Sequence, residues 1–345
     1  LIAAGEKPFF KNEIINPGQL LPMVHVASLA ELSDGALAAV WYGGTAECSP
    51  DVQIFFSTRQ ESEGWSKPHT IMTRVQAEDD LGRPMKSLGN AVLLANANGS
   101  LRLLFVTIAM GKWSGSQLNS SRSEDGGLTW LRTERLTLSP LCNFSELVRN
   151  RPIPLQGGGW CVPIYQEFLG KFPELLWLRE ARGDLIVQKT RIAGGCSTLQ
   201  PSVVPLSPHS GLVLLRDYTQ AKKIFLSRTE DGGLSWSKPE PTLLPNPDAG
   251  ISGLRISGGR LLVAFNDSML NRENLSLALS ADEGRSWGRI ATLENEQGGS
   301  FSYPYLLHTS DGSIAMAYTW KSKQIKLVRF NEAWITAQEK RSAGL

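Results

Sequence analysis

Three arginines, a tyrosine, a histidine and several carboxylates fall where they could do chemistry together. Arg151, Arg216 and Arg272 can each grip an anion, because a planar guanidinium fork matches a carboxylate with two parallel hydrogen bonds. Glu47, Asp51, Glu167 and Asp248 are carboxylates able to exchange protons or accept hydroxyl hydrogen bonds. His25, Gln200 and Tyr303 stand with them at the starts of β-runs. Groups of these types converging on one cleft favour an anionic or sugar-like ligand. Function on a rigid scaffold concentrates in loops and strand ends, so the next question is which elements hold these residues.

The answer is a repeat. Six times a β-run leads into a tight turn and a second β-run follows. The first copy is His25–Leu29, Asp34-Gly35, then Ala36–Trp41; the last is Tyr303–Leu307, Asp311-Gly312, then Ser313–Tyr318. Turn glycines fall at 35, 99, 158, 211, 259 and 312, in steps of 64, 59, 53, 48 and 53 residues. Each step fits one four-stranded blade with its loops. The Asp-Gly, Asn-Gly and Gly-Gly pairs predict type I′ hairpins, which need positive φ at both central residues. A second motif, Ser/Thr-x-Asp-x-Gly-x-Ser/Thr-Trp, occurs at Ser123–Trp130, Thr229–Trp236 and Ser280–Trp287, with a worn copy at Ser57–Trp65. Its Asp accepts turn amides, its Gly takes positive φ and its Trp packs between blades. The sequence therefore predicts an all-β fold, a six-bladed β-propeller of four-stranded antiparallel blades with Asp-box turns, spanning 1–345 with a short tail after about 335. One short helix is expected in the tail, from Asn331 to Arg341, and none of length elsewhere.

Let strands A to D run outwards from the axis. The glycine hairpins join A to B and the Asp boxes join C to D, so both lie on one face. The D-to-A and B-to-C loops lie on the other, and every candidate above sits there, with Tyr42, Arg149, Asn150 and Tyr165 beside them.

Composition narrows the classes. Net charge is +2 with Lys and Arg scattered among Asp and Glu, so no basic stripe tracks a nucleic-acid backbone. No apolar run approaches the ~20 residues of a membrane span, and Leu1–Glu6 does not read as a signal peptide. The cysteines, Cys48, Cys142, Cys161 and Cys196, form no C-x-x-C pair and read as buried free thiols. No metal and no cofactor is expected.

With these motifs in hand, the chain resembles the sialidase superfamily, specifically the bacterial sialidase-like Asp-box (BNR) repeat proteins, over about residues 20 to 335. Sialidases place a catalytic tyrosine nine residues before the last hairpin glycine, where Tyr303 stands before Gly312. The resemblance places clamp arginines at Arg216, in Leu215-Arg216-Asp217, and at Arg272, ahead of the strand into the Ser280 Asp box. It places an acid/base carboxylate in the first-blade loop, at Glu47 with Asp51 as runner-up. Two positions depart from the pattern. His25-Val26-Ala27 replaces Arg-Ile-Pro, and Gln200 replaces a glutamate that polarises the tyrosine; Arg151 is the candidate to replace the lost arginine. The resemblance implies an exo-acting glycosidase for a terminal acidic sugar, with Tyr303 as nucleophile and Glu47 as acid, its pKa raised by burial. With Gln200 unable to take a proton, the base for Tyr303 falls to Glu167, His25 or Asp248, in that order. Arg216 with its neighbour Asp217 reads alternatively as a plain ion pair. A glycan-binding propeller without turnover, or a lyase with His25 as base, stand as alternatives on the same scaffold.

Overall fold

A computed structural model describes residues 6–139, 143–181, 184–195, 197–342 and 344. It consists of six antiparallel sheets arranged as the blades of a propeller. The inner strands are Met23–Glu31, Ser87–Ala95, the broken pair Leu147–Val148 and Ile153–Pro154, Thr198–Pro205, Ser252–Arg255 and Phe301–His308. Their side chains and those of the next strands are almost wholly buried, forming the apolar layers between blades. Blade six takes its outermost strand from the other end of the chain: Phe10–Ile14 pairs with Gln324–Phe330, from Phe10↔Phe330 to Ile14↔Lys326. The ring is thus closed by hydrogen bonds, which leaves no unpaired gap between its first and last elements.

The tail helix runs Glu332–Ser342, and its Trp334 stacks on Phe10 and Phe330 at 4.9 and 5.0 Å between ring centroids. A second helix, Arg74–Leu81, lies between blades one and two, where none was expected. Thr73 caps its first turn by accepting the Gln76 amide, and Gly82 ends it at φ 63°. Only Ala77 of this helix is buried, so it carries no apolar stripe to mark it in the sequence.

The Asp-Gly and Asn-Gly hairpins differ from the type I′ expectation. Gly35, Gly99 and Gly312 have φ of 81°, 85° and 81°, whereas Asp34, Asn98 and Asp311 do not enter the left-handed region. Each turn closes with paired bonds, such as Gly35 N–H to Leu32 O and Leu32 N–H to Ala36 O. This is a type I turn followed by one left-handed residue. The Asp or Asn is there for its side chain, which accepts the amide two residues on at 2.9–3.1 Å. In blade four the turn lies at residues 207–210, and Gly211 begins the strand Gly211–Asp217.

The three Asp boxes share one bonding pattern. Asp125, Asp231 and Asp282 each accept the amide and hydroxyl of the Thr or Ser four residues on, and the box glycines 127, 233 and 284 have φ of 83–96°. Trp130 reaches the preceding blade, 6.4 Å from the Phe56 ring. These bonds hold all three carboxyls well down, to about 2 against an ordinary 3.8. A depressed folded value means that the stabilisation is complete above the ordinary value and is lost as pH falls through the folded one. Tryptophan fluorescence should therefore report falling stability from about pH 4 to about pH 2. A triple Asp→Asn variant is expected to be less stable at neutral pH and flatter across that window; parallel curves for the two proteins would contradict this.

Candidate active site

In four of the six blades a bulge in the inner strand re-aims its side chains. Ser302 pairs with Thr319 and Tyr305 with Ala317, so Tyr303 and Pro304 together oppose one residue, Tyr318. The same irregularity occurs at Val26, at Gly89 and at Gln200. Tyr303, Gln200 and Val26 adopt φ of 57°, 52° and 50°, a region that non-glycine residues enter only when the surroundings over-determine them. Bulges re-aim side chains beside functional sites, and here they bring Tyr303, half-buried, among His25, Arg149 and Arg272.

The His25 ring stands edge-on to the Tyr303 ring, 4.8 Å between centroids, and also edge-on to Tyr42 at 6.0 Å. His25 Nε2 lies 3.1 Å from Glu47 Oε1, and His25 Nδ1 is buried with no hydrogen-bond partner. Glu47 therefore fixes the imidazole against the tyrosine. The His25 hydrogen bond holds the Glu47 carboxyl below its ordinary value; burial works the other way, and Trp113 and Arg272 add to the lowering. The sequence reading expected burial to raise it. The correction is physical: paired to an imidazole and near a guanidinium, this carboxylate is kept ionised.

Arg216 donates from Nε to Asp248 Oδ1 at 2.7 Å and from Nη1 to Gln200 Oε1 at 3.1 Å. Burial disfavours its charge, but Tyr303 and Asp248 more than offset that, and its pKa is raised. Arg272 donates to the Asp248 backbone oxygen at 2.7 Å. One residue, Asp248, thus ties both arginines together from a φ of 58°, and Asn246 pins its loop by bonding both the amide and the oxygen of Ala249. Gln200 Nε2 reaches the Tyr165 hydroxyl at 3.2 Å, which also receives Asn90.

A further arginine proves central. Arg149, only 1% exposed, leaves blade three to donate to Ile251 O and Pro304 O, both at 2.6 Å, and to Asn150. Its guanidinium and that of Arg272 each lie 5.3 Å from the centre of the Tyr303 ring. Burial lowers its pKa to about 10 against the pull of Tyr303 and Tyr165. Gly250 sits where these groups meet: a Cβ there would lie 2.8 Å from Tyr303 Cδ1 and 3.2 Å from both Arg149 Cζ and Gln200 Oε1. Gly250→Ala should therefore displace the tyrosine and cost about 1–3 kcal/mol of stability, measured by urea unfolding. An unchanged midpoint would show the contact to be slack.

Other candidates fall outside this constellation. Asp51 accepts the Thr45 amide and hydroxyl and shapes its own exposed loop. Glu167 pairs with Lys171 at 3.0 Å, so His25, not Glu167, is the basic group facing Tyr303. Arg216 pairs with Asp248 rather than Asp217, whose carboxylate receives the Thr219 and Lys223 amides. The guanidinium groups beside the Tyr303 ring are those of Arg149 and Arg272, not that of Arg151. The sequence reading puts Arg149 and Arg151 on the same face, and only contacts between blades distinguish them. Trp113, against Gly89 and Glu47, carried no signal, since it lies in an unpatterned loop. Cys48 and Cys161 are buried and free, while Cys142 and Cys196 lie outside the described residues.

Comparison with known proteins agrees with this architecture. Residues 35–316 match the model of the BNR repeat-like domain. No curated protein sequence matches the chain significantly. Among solved structures, it is similar to the Hadza microbial sialidase Hz136, with 17% identity and a TM-score of 0.75 over 92% of this chain and 67% of that one. It is likewise similar to a protein of unknown function from Dyadobacter fermentans, at 13% identity and a TM-score of 0.75, covering 93% and 99% of the two chains. A third likeness is to the intramolecular trans-sialidase from Ruminococcus gnavus, solved with oseltamivir carboxylate, at 13% identity and a TM-score of 0.73 over 94% and 98%. At these identities the likeness is one of fold. With the repeat, the closed ring and the family match together, the chain belongs to the BNR repeat-like domain family and is a sialidase-like six-bladed propeller.

Proposed function

We propose that this protein is an exo-acting glycoside hydrolase that removes a terminal acidic sugar, sialic acid or a related acid, from glycans. The observation that carries the reading is the meeting of Tyr303, the His25–Glu47 pair and the Asp248-linked Arg216 and Arg272 through mutual contacts. Arg216 and Arg272 bind the sugar carboxylate. Tyr303 attacks the anomeric carbon, since a neutral phenol approaches an anionic sugar without the repulsion a carboxylate would meet. The glycosidic C–O bond breaks as the tyrosyl bond forms: His25, its Nε2 held on Glu47, takes the phenol proton on Nδ1 and passes it to the leaving oxygen, and water then attacks the same carbon, releasing the sugar acid and returning a proton to Tyr303. That unpartnered Nδ1 also favours a second reading, β-elimination from an acidic sugar with His25 as base.

A panel of fluorogenic acidic glycosides separates the readings. Fluorophore release with a saturated sugar acid supports hydrolysis. An ultraviolet-absorbing unsaturated acid supports elimination instead. Binding of acidic sugars with no turnover of any substrate would make the chain a glycan-binding propeller.

A further inference from the structure

A cluster of exposed aromatic side chains stands on the loops that leave the strands of the candidate site. In blade three the strand Trp160–Gln166 runs out into the loop that carries Phe168 and Leu169, which are 55% and 85% exposed. In blade four the strand Gly211–Asp217 runs out into Tyr218, which is 54% exposed. Phe144, in the loop that enters blade three, brings its ring within 6.2 Å of the Phe168 ring. Hydrogen bonds fix this cluster. The Glu167 amide donates to Ser145 Oγ at 2.7 Å, which ties the Phe168 loop to that of Phe144. The backbone of Ser197 joins the two blades, since it bridges to Lys171 and its oxygen accepts the Tyr218 amide at 3.0 Å. Lys171 Nζ lies 3.8 Å from the centre of the Tyr218 ring and 3.0 Å from Glu167 Oε2. Large apolar side chains held in the open are unfavourable in water, and a contiguous patch of them marks a surface that a partner covers.

Charge and the polar groups among the rings define that partner. The Lys171 ammonium is balanced by Glu167, so the pair brings no net charge with which to draw a second acid or an anionic lipid surface. Beside the rings stand this ion pair and the Thr219 hydroxyl, whose oxygen accepts the Ala221 amide at 3.0 Å and whose proton is left to donate. A neutral pyranose matches both surfaces: its C–H faces lie on aromatic rings, and its hydroxyls reach polar neighbours. A lipid tail matches only the first. The patch is also continuous with the site. Tyr165, three residues before Phe168, is bonded through Gln200 to Arg216, two residues before Tyr218. We infer that Phe144, Phe168 and Tyr218 form a platform for the neutral sugar residues to which the terminal acid is joined. The inference rests on the glycosidase reading for the acidic end of that glycan. It makes the protein favour an acid joined to a neutral saccharide over the free acid.

The test is a saturation-transfer NMR titration of the whole chain with lactose, cellobiose and maltose. Binding of at least one of them is expected. Phe168→Ser and Tyr218→Ser should each raise its dissociation constant by about 2- to 10-fold, the range for a single aromatic contact. Tyr218→Phe, which keeps the ring, should leave it unaltered. So should Leu128→Ser, a change at a residue 77% exposed in an Asp box, on the other face. No binding of any of the three disaccharides, or variants that bind as the parent does, would overturn the inference. Phosphatidylcholine vesicles that sediment the parent but not Phe168→Ser would overturn it in favour of a lipid surface. Free N-acetylneuraminic acid, titrated beside them with Arg272→Ala, examines the clamp separately. A chain that binds a neutral disaccharide through Phe168 but binds no sugar acid keeps the platform and loses the glycosidase reading.

Discussion

Tyr303→Phe is expected to lower turnover of a cleavable acidic glycoside by about 10³-fold or more while binding of the sugar acid stays within a few fold. The asymmetry follows from the geometry. Phenylalanine keeps the ring, and with it the edge contact to His25 and the contacts to Arg149 and Arg272. Arg216 and Arg272, the proposed carboxylate clamp, stay held by Asp248. Only the phenolic oxygen, the proposed nucleophile, is lost. Single-turnover kinetics together with equilibrium binding would read the two effects separately. Equal losses in binding and turnover would assign Tyr303 to substrate holding, and full activity would remove it from the chemistry altogether.

The second large effect is on stability. Arg149→Met should destabilise the protein by about 2–4 kcal/mol, read from urea unfolding. Three acceptors, Ile251 O, Pro304 O and the Asn150 side chain, lose a charged donor inside the fold. The loss is limited because the cost of burying the guanidinium disappears with it, and methionine refills most of the volume. Because these acceptors lie in blades three, five and six, the variant should also loosen the strand that carries Tyr303. A change below about 0.5 kcal/mol, the size expected of an ordinary surface substitution, would mean that Arg149 does not hold the inner strands together.

Much of this architecture is legible in the residues because it rests on local rules. The Asp-Gly and Asn-Gly pairs and the Asp boxes are turns whose bonds close within five residues, so sequence alone locates them. The same reasoning mistook the turn type, since the second-position Asp works through its side chain and not through a left-handed backbone. The closing strand Phe10–Ile14 was not legible, because its partner lies more than 300 residues away and its polar face carries no strong alternation. The helix Arg74–Leu81 had its caps in plain view, Thr73 and Gly82, but no apolar stripe between them.

The site divides along the same line. Strand starts and loop positions put Tyr303, His25, Glu47, Arg216 and Arg272 on one face in the sequence reading, and their contacts bring them together. Partner choice was not legible, because it depends on distances across the axis. Glu167 is taken by Lys171 four residues on, and Glu47 is taken by His25 from a neighbouring strand. The direction of the Glu47 shift follows from that partner, which no spacing rule reveals.

The central claim is that Tyr303 is the nucleophile of a glycosidase, and chemical trapping tests it most directly. An activated acidic glycosyl fluoride, fluorinated beside the anomeric carbon, should form a glycosyl-enzyme that breaks down slowly enough to isolate. Mass spectrometry of the digested protein is predicted to find one sugar attached, on the peptide that contains Tyr303, and none on the Tyr303→Phe variant. A sugar attached to Glu47 or another side chain, or slow turnover of the substrate with no covalent adduct at all, would contradict the account.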